Sequence, residues 1–158
     1  MLNFYLYSVT SISLAAFYFA AVYLVSGVLR FALGVDADTQ VRNAIASGLG
    51  IVVAALPLWY VHWGWLREQF RQAKPEDVGF HRFYLFTVVC LSAMALLVSG
   101  SVAVTRLMNI ALGVGPGTTA SAAQAATALA TFGLSFAIWI LHWGQFQGGR
   151  GEMQVGAP

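Results

Sequence analysis

Residues 4–29 read FYLYSVTSISLAAFYFAAVYLVSGVL, an apolar run without a single Asp, Glu, Lys or Arg. A helix needs about 20 apolar residues to cross a bilayer, because the hydrocarbon core is about 30 Å thick and each residue rises about 1.5 Å. Similar stretches without charge follow at residues 44–66, 83–105 and 123–146. The strands of a membrane barrel would instead alternate over about ten residues. The sequence therefore predicts an all-α integral membrane protein with four transmembrane helices.

The composition agrees with a lipid environment. Apolar residues make up 59% of the 158-residue chain and charged residues 9%, whereas soluble domains have about 45–50% and about 25%. The net charge of +2 is too small for the basic surface that binds nucleic acid. Cys90 is the single cysteine, so neither an intrachain disulfide nor a cysteine-based metal site is expected.

The apolar stretches divide the chain into four parts. Residues 1–66 and 83–147 each contain two spans, residues 67–82 form a charged loop, and residues 148–158 form a polar tail that we expect to be flexible. Lys and Arg concentrate on the cytoplasmic side of membrane proteins. The loop and the tail hold five of these residues and the opposite side holds three, so both termini are predicted to be cytoplasmic.

The two halves share short motifs at a nearly constant spacing. The pairs are FYLY at 4–7 with FYLF at 83–86, FALGV at 31–35 with IALGV at 110–114, and WYVHWG at 59–64 with WILHWG at 139–144. Three matches in the same order predict a tandem duplication of a two-helix hairpin. Two copies of an even number of helices share one orientation, so the predicted axis is a parallel pseudo-twofold along the membrane normal.

The repeated Trp-x-x-His-Trp-Gly motif is the candidate cofactor site. Its spacing puts Trp59 and His62 on one face of the second helix, and Trp139 and His142 on one face of the fourth. The duplication would place both histidines at the same depth. Two such imidazoles would suit the two axial positions of a b-type haem, or two magnesium-centred pigments.

Two arginines follow the first copy of the motif, and they extend the same hypothesis. Arg67 and Arg71 lie just beyond the second span, where they would meet haem propionates. The alternative is structural, since Trp is enriched at membrane interfaces and His tolerates the same zone. In that interpretation the motifs form an aromatic belt at the inner boundary.

Three further polar residues have structural interpretations. His81 precedes the third span and is expected to be a solvated loop residue, with a pairing to His62 as the alternative. Arg30 and Arg106 each follow a long apolar run, so we expect their side chains to snorkel to the outer interface.

Small residues four positions apart form stripes on three of the helices. Such stripes let helix backbones approach closely, and we expect them to hold the bundle together or to mark a docking face. They comprise Ala46, Gly50 and Ala54 on the second helix, Ala95, Ser99 and Ala103 on the third, and Ala126 and Ala130 on the fourth.

No pattern in the sequence indicates catalysis. The spans contain no acidic residue, and the chain has no HExxH or Gly-x-Ser-x-Gly motif, so we expect that it is not an enzyme. The interpretation that we favour is a non-enzymatic accessory or structural subunit of a larger membrane complex, which contacts lipid and other membrane subunits or a second copy of itself. The alternatives are a b-type haem or pigment subunit that uses His62 and His142, and a small transporter or channel half.

Two aromatic starts and a proline motif carry a family resemblance. The FYLY and FYLF segments, together with Leu56-Pro57-Leu58 near the end of the second span, resemble a bacterial membrane domain family with four predicted helices and no assigned function. The resemblance covers most of the chain. It implies a location in the bacterial plasma membrane, and it assigns no functional residue.

Overall fold

The computed structural model describes residues 2–34, 39–71, 78–114 and 118–154, and one long helix dominates each segment. The helices are α1 (Leu2–Ala32), α2 (Thr39–Arg71), α3 (Val78–Leu112) and α4 (Thr118–Gln154). Each is long and apolar enough to cross a membrane, over Phe4–Ala32, Thr39–Gln69, Gly79–Leu112 and Thr119–Gln147. The prediction of an all-α chain with four potential membrane spans is therefore confirmed.

Helices α1 and α3 end in the same way, at a glycine. Gly34 and Gly113 both have a φ of 65°, which side chains of L residues rarely adopt. Their N–H groups donate to the carbonyl oxygens of Phe31 at 3.1 Å and of Ile110 at 3.3 Å. Such bonds satisfy carbonyls that the helix end leaves open. The repeated ALGV sequence thus coincides with a repeated helix end.

Three helices continue beyond the predicted spans into segments that we expected to be irregular. In the predicted loop 67–82, α2 continues through Arg71 and α3 already begins at Val78, while residues 72–77 lie outside the described part of the chain. In the predicted tail 148–158, α4 continues to Gln154. No proline occurs between Pro116 and Pro158, so every backbone N–H of that stretch is available to extend the helix.

The helices pack as two hairpins, α1 along α2 and α3 along α4, and a contact between α1 and α4 joins them. The α1 and α2 backbones approach each other closely at Gly48. A Cβ atom built there would lie 2.9 Å from the backbone nitrogen of Leu24 and 3.0 Å from the carbonyl oxygen of Ala20. Between α1 and α4, the hydroxyls of Tyr18 and Ser135 are hydrogen-bonded at 2.7 Å.

An apolar cluster joins all four helices where α1 and α3 begin and α2 and α4 end. Its members are Leu6, Trp63, Leu66, Tyr84 and Leu85, and Phe146 of α4 packs against them. We call this end of the bundle the histidine end, because His62, His81 and His142 also lie there. It is the part of the fold that positions the candidate site.

The small-residue stripes differ between the helices. Ala126 and Ala130 of α4 are buried, so the expectation that such residues pack the bundle is confirmed there. Ala46, Gly50 and Ala54 of α2 are exposed, and for α2 that expectation is wrong. The reason is position, since α4 packs against both α3 and α1 whereas α2 packs mainly against α1.

Candidate functional site

The two motif histidines make the same local hydrogen bond. Nδ1 lies 2.8 Å from the carbonyl oxygen of Leu58 in His62, and 2.9 Å from that of Ile138 in His142. A carbonyl only accepts, so the bond assigns the proton to Nδ1 in each ring. The Nε2 atoms are then left with a lone pair, which suits them as acceptors or as metal ligands.

The surroundings of the two rings are different. His62 is buried beside Tyr5, at 6.2 Å between ring centroids, and beside Trp65, at 5.2 Å. His142 is 1% exposed and contacts Trp63 at 5.0 Å and Tyr84 at 6.2 Å. None of these four described rings lies beside both histidines. The structure therefore buries both histidines at one end of the bundle without placing them against one shared group.

His81 is not the solvated loop residue that we expected. It lies in the first turn of α3 and is only 3% exposed. Its ring contacts Tyr7 at 6.2 Å, and it lies within electrostatic range of His142. The expectation was wrong because α3 begins five residues before the apolar run that we used to define the third span.

The other predicted site residues are spread over the same end. Trp59 is half-buried and stacks on Phe17 at 6.2 Å and on Trp63 at 6.1 Å. Arg67 is exposed. Arg71 is the last residue of α2, and its side chain lies outside the described part of the structure. The described contacts thus bring Trp59 into the bundle and leave Arg67 at its surface.

Trp139 belongs to an aromatic ladder along α4 that we did not predict. Five rings follow one another at centroid distances of 6.4, 6.3, 5.5 and 5.9 Å. They belong to Phe132, Phe136, Trp139, Trp143 and Phe146. The alternating spacing of four and three residues, which keeps side chains on one helix face, was the available signal. Because Phe132, Phe136 and Trp143 are exposed, this part of the ladder lies at the outer surface of the bundle, while Phe146 packs against the apolar cluster.

The histidine end also contains buried polar atoms without a hydrogen-bond partner. Within the described residues these include Nε2 of His142, the hydroxyl of Tyr84 and Nε1 of Trp59. The Tyr84 hydroxyl lies beside the Trp59 side chain, yet the two atoms do not reach hydrogen-bond geometry. An unsatisfied buried polar group costs about 1–3 kcal/mol, so these atoms make the histidine end a candidate place for a further hydrogen-bonding partner. Sequence reasoning passed over Tyr84, although it belongs to the repeated FYLF segment.

Among the cavities lined by described residues are three that neither motif histidine lines. One of about 480 Å³ lies between α1 and α3 and includes Tyr84 in its wall. Cavities of about 670 and 160 Å³ share Arg30, which is half-buried beside Thr127 of α4. In the part of the chain that the structure describes, no three His, Cys, Asp or Glu side chains form a group that could hold a metal ion.

Comparison with known proteins gives a family and no activity. The model of a family described as a domain of unknown function, DUF5671, matches residues 3–134. The match includes His62 and Tyr84 and stops before His142. No curated protein and no solved structure matches the chain. The resemblance to an uncharacterised domain family is thus confirmed, while a bacterial origin stays an expectation. Because the family model covers most of the sequence, the chain belongs to the DUF5671 family.

Proposed function

We propose that this chain is a non-enzymatic subunit of a larger assembly in the bacterial plasma membrane, and that it joins its neighbours through the exposed face of α2. That face carries Ala46, Gly50 and Ala54. In lipid, helices associate through close packing rather than through the hydrophobic effect, and small residues permit the closest approach. The outward position of this stripe is the observation that carries the proposal.

The internal repeat supports the same conclusion. We propose that the two hairpins are copies related by duplication, so that positions 46 and 50 of α2 correspond to Ala126 and Ala130 of α4. In α4 these positions are buried within the bundle. The corresponding face of α2 also has small residues, Ala46 and Gly50, but faces outward. A helix of a neighbouring subunit would cover it as the bundle covers Ala126 and Ala130.

The test replaces Gly50 with leucine and uses Gly133→Leu as the matched control. Gly50 lies in the middle of α2 and Gly133 in the middle of α4, and both are exposed. A Cβ atom built at either glycine has no neighbouring atom within 4 Å. Neither substitution should therefore disturb the fold. After mild solubilisation of native membranes, native mass spectrometry should show the unaltered chain and Gly133→Leu in a complex of fixed stoichiometry.

The Gly50→Leu variant should dissociate from that complex while it keeps its helical content. A single-chain mass for the unaltered protein would contradict the proposal. Equal retention of Gly50→Leu and Gly133→Leu would show instead that the assembly uses another surface.

A second candidate function is a b-type haem or pigment subunit, and His142 is the residue that favours it. Its Nδ1 is held by the Ile138 carbonyl, and its Nε2 is buried without a hydrogen-bond partner. Both features suit an axial ligand. The different surroundings of His62 and His142 argue against a haem held by both residues. Two histidines that bound one iron would have to lie against the same group.

An absorption spectrum of the purified chain, reduced minus oxidised, separates the two candidates. Sharp bands that disappear in both His62→Ala and His142→Ala would support a haem. A visible band that does not respond to reduction would indicate a pigment. A spectrum without visible bands from the folded protein would remove both cofactors.

A further inference from the structure

The cavity between α1 and α3 has the shape of a site for one lipid chain. It encloses about 480 Å³, and along α3 it reaches from Tyr84 to Ala95, which is about 16 Å at 1.5 Å per residue. Ile138 of α4 is part of its wall, and the exposed residues Phe19 and Leu91 lie at its rim. Since its rim faces outward between two membrane-spanning helices, the cavity opens toward lipid.

Tyr84 is the buried polar group in this wall that has unused hydrogen-bonding capacity among the described residues. The hydroxyl of Ser11 donates to the Tyr7 carbonyl, and Tyr18 is bonded to Ser135. Tyr84 differs, because it lines the cavity, is 6% exposed and has a hydroxyl without a hydrogen-bond partner.

The neighbouring Trp59 determines which kind of partner suits Tyr84. An indole N–H only donates, so Trp59, which lies beside Tyr84, cannot accept the phenolic proton. The phenolic proton of Tyr84 is then left for an acceptor, such as a carbonyl oxygen.

The depth of Tyr84 in the bundle matches the level of lipid carbonyls. The apolar part of α3, Gly79–Leu112, has 34 residues, so its length is about 51 Å against a hydrocarbon core of about 30 Å. With this stretch centred in the bilayer, about 10 Å projects at each end. Tyr84 is five residues, or about 8 Å, from the beginning of this stretch. That depth is the boundary between the hydrocarbon core and the interface.

We propose that the α1–α3 cavity binds the chain of a membrane lipid whose carbonyl oxygen accepts a hydrogen bond from Tyr84. An ester-linked phospholipid and a prenylated quinone both have this chemistry. The cavity volume lies within the range of about 300–1,000 Å³ that is usual for ligand sites. This site is independent of the α2 face and of the subunit function proposed above.

One acceptor inside the protein competes with the lipid. Nε2 of His142 is buried and lacks a partner, and its ring centroid lies 6.2 Å from that of Tyr84. The proposal requires that the Tyr84 hydroxyl donates to the ligand in the cavity rather than to His142. A variant that removes only this hydroxyl distinguishes the two, because it weakens lipid binding only if the lipid is the acceptor.

The experiment titrates delipidated protein in detergent with three probes and follows binding by native mass spectrometry. The probes are a dioleoyl phospholipid, its ether-linked analogue without carbonyls, and a prenylated benzoquinone. Tyr84→Phe should weaken ester-lipid or quinone binding about two- to tenfold, the usual contribution of one hydrogen bond, and should leave the ether lipid unchanged. Tyr60→Phe, which removes an exposed tyrosine hydroxyl from α2, is the control.

A steric pair tests the cavity itself. Ala15 and its neighbour Ala16 are both exposed, but only Ala15 lines the cavity. Ala15→Phe should abolish binding of all three probes, and Ala16→Phe should preserve it, with equal helical content in both variants. Quinone binding without ester-lipid binding would support the site and identify its source of carbonyl. Tyr84→Phe binding like the unaltered chain, or equal binding of both alanine variants, would overturn the proposal.

Discussion

Replacing Gly48 with alanine should destabilise the α1–α2 hairpin, because the added methyl group has no space. It would lie 2.9 Å from the backbone nitrogen of Leu24, and 3.0 Å from both the Leu24 Cβ atom and the carbonyl oxygen of Ala20. Ordinary carbon contacts begin at about 3.5 Å, and backbone atoms cannot turn away as the end of a side chain can. The helices must therefore separate by several tenths of an ångström at this position.

The expected magnitude follows from a comparison within α2. Overpacking of this kind costs about 1–3 kcal/mol, while alanine in place of glycine stabilises a helix by about 1 kcal/mol. Gly50 is two residues away, and a Cβ atom there meets nothing within 4 Å. Gly50→Ala therefore keeps the helix-propensity gain without the clash. The propensity term cancels between the variants, so Gly48→Ala should be less stable than Gly50→Ala by about 1–3 kcal/mol.

Reversible unfolding of the single chain in mixed detergent micelles measures this difference. Circular dichroism follows the helices, and both variants are compared under conditions in which each is monomeric, so that contacts between chains do not contribute. Stabilities that agree within about 0.5 kcal/mol would refute the close approach of α1 and α2 at Gly48, since this is the usual range for substitutions that touch nothing.

Three further predictions concern other parts of the bundle. Tyr18→Phe should lower the free energy of unfolding by about 0.5–1.5 kcal/mol, and should have little further effect in a Ser135→Ala background, because the 2.7 Å bond is already lost there; an equal effect in both backgrounds would contradict the bond. Gly34→Ala and Gly113→Ala should each destabilise by about 1 kcal/mol or more in the same unfolding assay, since both positions have a φ of 65°; unchanged stability would contradict these helix ends. A cysteine at Gln72, with Cys90 replaced by serine, should resist impermeant maleimide added to intact cells and react after lysis; labelling in intact cells would reverse the proposed orientation.

The membrane spans could be predicted from sequence because the apolar runs are long and free of charge. The helix ends could not, since α2 and α4 continue through residues whose composition is polar. Helical hydrogen bonds do not require apolar side chains, so hydropathy marks the part of a helix in lipid rather than the helix itself. The error at His81 has this cause, because the residue precedes the apolar run yet lies within α3.

The candidate site was predictable only in part. The repeated spacing identified His62 and His142, and both are buried at one end of the bundle. Their ring neighbours depend on how α1 and α3 pack, and spacing within one helix contains no information about that. The same limit applies to the exposed α2 stripe and to Tyr84, because a small residue or a tyrosine looks the same in a sequence whether another helix covers it or not.

Photocrosslinking from the α2 face in native membranes tests the proposed subunit function most directly. A benzophenone maleimide is attached to Gly50→Cys, or to Gly133→Cys as the control, in a chain whose Cys90 is replaced by serine. Both positions are exposed, so both should be labelled. We expect one discrete product of higher mass from Gly50→Cys and none from Gly133→Cys. Products at neither position, or the same products at both, would contradict the claim that a neighbouring subunit covers this face of α2.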